Sequence, residues 1–91
     1  MILPDKLLKS KELTPIQKLI IGLIINESPI VMRFTDGYDK TCGEIGKELG
    51  LSRSKVRVAL DEMVEKGYIS TEYGRAWRKT NLTTEGDNFK D

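Results

Sequence analysis

The chain reads as a mainly α-helical fold with a small β-hairpin: a three-helix core plus a two- to three-stranded sheet. Three observations predict it. Hydroxyl residues precede apolar runs of helical period at Thr14, Thr41 and Ser52. Glycines close the second and third of these runs, at Gly50 and Gly67. Beyond them, two β-prone stretches meet at Gly74-Arg75. Ninety-one residues suffice for one small domain, 1–91, with a single core.

Residues 1–13 form an N-terminal arm. Ile2, Leu3, Leu7 and Leu8 surround Pro4, which suits a docked segment or one short helical turn. Helix 1 is expected over 14–27, because Thr14 offers a capping hydroxyl and Pro15 fits the first helical position. Ile16, Leu19, Ile20, Leu23 and Ile24 then keep the 3.6-residue period, with Ile21 and Ile25 widening the stripe. Ile30, Met32 and Phe34 alternate with Val31 and Arg33, the pattern of a short strand, and 35–40 reads as a polar loop around Gly37.

Helix 2 is expected over 41–50, opened by Thr41 and stopped by Gly50. Helix 3 follows over 52–66 and carries Val56, Ala59, Leu60, Met63 and Val64 on one face. The hairpin spans 68–82. With Gly74-Arg75 as a two-residue turn, Tyr73 pairs with Ala76, and Ile69, Thr71, Arg78, Thr80 and Leu82 share the core-side face. Trp77 and Lys79 would then point away from the core. A longer loop with a one-residue slip would instead turn Trp77 inward, and both readings stand at this stage. A polar tail, 83–91, completes the chain with room for one more helical turn.

Composition excludes several functions. There is no histidine, and Cys42 is the only cysteine, so no intramolecular disulfide and no usual Cys/His zinc pattern can be written. Asp36 and Asp39 are too few ligands for a calcium loop, and Gly43, Gly46 and Gly50 are no nucleotide fingerprint. Cys42 at a helix start could sense redox state, but small buried filler is the ordinary role. No acid–base pair falls on an evidently concave element, so no catalytic residue, cofactor or metal is expected and the protein is not read as an enzyme. The longest apolar run, 19–25, is too short for a membrane span and 1–13 lacks a secretory layout, which makes the cytoplasm the default location.

Fifteen basic and fourteen acidic side chains give a net charge of +1, a weak pointer to a polyanionic partner. Placement is more informative than the sum. Residues 51–60 hold three cations and no anion, and so do 74–81. Arg53, Lys55 and Arg57 crowd the start of helix 3, while Asp61, Glu62 and Glu65 lie in its second half. A helix N-terminus carries partial positive charge, so each early cation is unfavourable by about 0.3–1 kcal/mol. A capping box would place Glu or Gln at position 55, where this chain has lysine. The arrangement makes sense if an external row of negative charge, such as phosphates, completes it.

Helices 2 and 3 are separated only by Leu51-Ser52, so the turn between them must be tight. Gly46 lacks a side chain where the two helices would cross most closely, and Gly50 can take a left-handed conformation. The stretch 41–60 followed by 61–70 resembles the winged helix-turn-helix family. Gly46, Gly50 and Val56 match its small-residue, glycine and β-branched positions, and Glu65-Lys66-Gly67-Tyr68-Ile69 is similar to the passage into its wing. The likeness covers about residues 41–83. More weakly, 3–25 resembles the opening of replication-initiator domains of plasmids and phages, and 82–86 is similar to wing ends of small bacterial transcription regulators.

The resemblance implies double-stranded DNA binding, with helix 3 as a recognition helix in the major groove and the wing beside it. Arg53, Ser54 and Arg57 are the candidates for base edges, since arginine reads guanine O6 and N7 with two hydrogen bonds. Thr41, Ser52 and Lys55 suit phosphate contacts, and Arg75, Trp77, Arg78 and Lys79 suit the wing. The bland alternative for Arg57 is a surface pair with Asp61, four residues on. The expected role is transcription regulation or the initiation of replication in a plasmid or phage. A rival reading is a winged helix that serves as a protein-protein adaptor without touching DNA. A homodimer through the N-terminal segment is a further partner expectation.

Overall fold

The computed structural model describes residues 3–28, 30, 32–33, 37–73, 78–83, 86 and 88–89, with Tyr73, Arg78 and Lys79 described by backbone alone. The arm forms a single helical turn, α1 (Asp5–Leu8), which docks Leu7 fully into the core. Leu13 follows it inward, and the Lys18 Nζ holds the arm by donating to the Leu8 carbonyl at 2.7 Å. These contacts tie Leu7 and Leu13 into the chain's own core, while Leu8 stays 48% exposed.

Helix α2 (Pro15–Ile25) begins where Thr14 and Pro15 place it. Thr14 Oγ1 accepts from the Gln17 N–H, and Gln17 Oε1 accepts in return from the Thr14 N–H at 3.1 Å, closing a reciprocal capping box. The buried face is Gln17, Ile20, Ile21, Gly22 and Ile24. It is therefore rotated from the apolar stripe through Ile16, Leu19 and Leu23, which are only partly buried.

Among the described residues of 30–34 the expected strand is not formed. Ile30, Met32 and Arg33 are helical, and the Met32 N–H donates to the Ser28 carbonyl at 2.9 Å, an i to i−4 bond. Ile30 is 81% exposed whereas Met32 is partly buried against the core, so these two do not share the buried face that the alternation would supply. Val31 and Phe34 lie outside the described residues.

Helix α3 (Cys42–Leu49) has a second reciprocal capping box, between Thr41 and Glu44. Helix α4 (Arg53–Glu65) is capped by Ser52, whose Oγ accepts from the Lys55 N–H at 3.3 Å. Val56, Ala59, Leu60 and Met63 are its buried side; Val64, expected with them, is 39% exposed. The Gly67 φ of 83° turns the chain out of α4.

Strands β1 (Ile69–Tyr73) and β2 (Arg78–Leu82) pair antiparallel. Tyr73 lies opposite Arg78 rather than Ala76, leaving four residues between the strands instead of two. The conformation of 74–77, including the expected Gly74-Arg75 turn, lies outside the described residues. A slip of two residues preserves which side chains share a face, and Ile69 and Thr80 are buried as expected. The hairpin also has a partner from outside it. Tyr38 forms a bridge with Thr80, its N–H donating at 2.9 Å and its carbonyl accepting at 2.8 Å. The loop expected around Gly37 thus supplies a third strand position, reached at a Gly37 φ of 135°.

In the tail, Phe89 packs edge-on against Tyr68 with ring centroids 5.3 Å apart. No helix among the described residues is long and apolar enough to cross a membrane.

Candidate nucleic-acid interface

The turn between α3 and α4 fixes how α4 is presented. Gly50 caps α3 in the left-handed region at φ 71°, ψ 31°, and the Leu51 N–H donates to the Gly46 carbonyl at 2.7 Å. A Cβ on Gly46 would stand 2.6 Å from the Leu51 carbonyl oxygen. The close approach at Gly46 is therefore with the backbone of the turn, not with the second helix as expected. Beneath the turn, Ile45, Val56, Leu60 and Met63 lock the two helices to one core. Cys42 is buried among the same residues, in keeping with a filler role.

A second anchor is not evident from the sequence alone. Gln17 is fully buried, and its Nε2 donates to Glu62 Oε2 at 2.9 Å and reaches the Ala59 carbonyl at 3.5 Å. One amide thus joins the capping box of α2 to the middle of α4. Its signal was visible as glutamine three residues after a capping threonine, but its span across the core was not. At the far end of α4, the Lys66 Nζ donates to the Glu12 carbonyl at 3.1 Å, and the Tyr68 hydroxyl donates to the Glu12 carboxylate.

The helix so held carries its cations outward. Arg53, Ser54, Lys55 and Arg57 are all exposed, as are Ser52 at its cap and Thr41 at the start of α3. No acid lies in the first turn of α4 and no base in its last turn. Among the described residues no carboxylate comes within 4.0 Å of Arg53, Lys55 or Arg57, so the Arg57–Asp61 pair is not formed. Asp61 and Glu65 are exposed farther along. One end of α4 is therefore suited to an anion and the other repels one. Arg75 and Trp77 lie outside the described residues, and Arg78 and Lys79 are placed only as backbone positions of β2, opposite Tyr73 and Glu72.

Two capped helices, a glycine turn and a protruding basic helix start form a helix-turn-helix. A profile of the family described as sigma-70, region 4 matches residues 11–66, more than half of the 91. The chain belongs to this family. It is a helix-turn-helix DNA-binding domain family, which agrees with the resemblance drawn from 41–70. The matched span takes in α2, α3 and α4 and stops before β1. No curated protein and no solved structure matches the chain.

Two features of Glu44 and Tyr38 bear on electrostatics nearby. Hydrogen bonds from the Thr41 backbone and hydroxyl side hold the Glu44 carboxyl below its ordinary value. Burial, reinforced by Glu48, Glu27, Glu44 and Asp39, pushes the Tyr38 phenol up to about 12.

Proposed function

We propose that this domain reads a short site in double-stranded DNA, with the first half of α4 in the major groove. The observation that carries it is the exposed cation triad, with no carboxylate within 4.0 Å among the described residues, at the start of a helix whose own dipole disfavours it. Arg53, Ser54 and Arg57 take base edges; Lys55, Ser52 and Thr41 take phosphates. Arg75, Trp77, Arg78 and Lys79 extend the footprint along the wing. The 13 residues of α4 span roughly 20 Å at 1.5 Å per residue, and only the N-terminal half is free of acids. That favours an entry led by the helix N-terminus, the geometry general to helix-turn-helix proteins.

Membership in a sigma-70 family favours transcription control over replication initiation. The domain steadies or directs a transcription complex by occupying its site. Selection of bound fragments from a random duplex pool tests the division of labour. Arg57→Ala should relax preference at one position of the selected site, whereas Lys55→Ala should weaken all sequences alike. Identical sequence profiles for the two variants would refute it.

A further inference from the structure

We propose that Val58 is a specificity-determining residue, which reads the 5-methyl group of a thymine in the major groove. The proposal rests on the DNA-binding reading above and names part of the sequence it selects. Val58 is 58% exposed in the middle of α4, one helical turn beyond Ser54 and away from the buried Val56, Leu60 and Met63. A β-branched residue gains little helix stability at an exposed site, where alanine, lysine or glutamate would serve better.

Its surroundings narrow the partner. Val58 borders an open notch of about 410 Å³ formed with Ile16, Ala59, Ser54 and Lys55, between the start of α2 and the outer side of α4. Ile16 and Ala59 make the floor apolar. Thr14, Ser54 and Lys55 also line the notch. Glu62 also reaches the rim, but Gln17 Nε2 holds one of its carboxylate oxygens at 2.9 Å. An apolar spot bordered by a serine and a lysine suits what thymine presents there: a methyl beside an O4 acceptor, with a phosphate on the flank. The other bases offer no methyl group in that groove.

The test begins with the site selected from random duplex DNA by the intact protein. Each thymine in it is replaced singly by deoxyuridine, which removes only the 5-methyl group. One position should lose affinity by about fourfold, the worth of one buried methyl group. In Val58→Ala, whose folding is checked by its melting temperature, that same replacement should have no effect. Sensitivity that persists in the variant would assign the methyl to another residue, and a site insensitive to every replacement would overturn the proposal. An unaltered sequence profile in Val58→Ala would place the notch away from DNA, as a surface for protein, and would also overturn it. Selection of no site at all refutes the DNA-binding reading itself, a failure separate from the other three.

Discussion

Replacing Lys55 with glutamate is expected to raise the stability of the protein while weakening its hold on DNA. Lys55 is exposed in the first turn of α4, and its N–H already donates to the Ser52 hydroxyl. Glutamate there would complete the reciprocal box that Thr14 and Thr41 form at the two preceding helices. Removing a cation and adding an acid at a helix start contribute about 0.3–1 kcal/mol each. Solvent exposure keeps the combined gain near the lower end, about 1 kcal/mol. For a domain of this size that raises the melting temperature by roughly 4–8 °C. The gain should shrink with added salt, which screens the dipole interaction. On DNA the same change removes a phosphate contact and introduces repulsion, so log K against log salt should flatten by about 0.9 per lost contact. Thermal melts at low and high salt, paired with a binding titration, read both effects. A variant that melts lower than the parent, or that binds duplex DNA equally well, refutes the idea that the triad is held for an external anion.

Two further outcomes follow from single residues. Gly43→Ala and Gly46→Ala make the same change in α3 and should act in opposite directions. A Cβ at position 43 meets nothing nearer than the Thr41 hydroxyl at 3.8 Å, so the helix-propensity gain, up to about 1 kcal/mol, is retained in part. At position 46 it would meet the Leu51 carbonyl oxygen at 2.6 Å, and overpacking of about 1–3 kcal/mol outweighs that gain. Denaturant midpoints that move the same way for both variants would contradict the turn geometry. For Tyr38, the folded protein holds the phenol neutral up to about 12, above its ordinary value of 10. A raised folded-state value gives stability that is complete below pH 10 and lost as pH climbs through 12. Tyr38→Phe should remove this alkaline component of the stability profile, and a parent-like fall between those values in the variant would exclude Tyr38 as its source.

The helix starts were the most legible part of the chain because their chemistry is local. Thr14, Thr41 and Ser52 cap within three residues of themselves, and Gly50 answers to its own φ. The segment 30–34 misled for the same reason in reverse: five alternating residues fit a strand, and the Ser28 carbonyl that takes the Met32 N–H was a competing local signal. Ser28-Pro29 repeats the Thr14-Pro15 pattern and could have shown it. The third strand position was not readable because Tyr38 lies more than forty residues from its partner Thr80. Gln17 was hidden by an apolar stripe whose centre lay one position away. In the candidate interface, the cation triad was evident from spacing alone, whereas the exposed Val58 needed the fold to separate it from the buried Val56 and Ala59.

The most direct measurement is the affinity of the intact protein for random duplex DNA as salt is raised. The exposed triad with its flanking hydroxyls predicts binding at low salt and a steep linear fall of log K with log salt, about 0.9 for each phosphate engaged. The simultaneous change Arg53→Ala, Lys55→Ala and Arg57→Ala should remove most of that slope. No binding at low salt, or a slope untouched by the triple change, would contradict it.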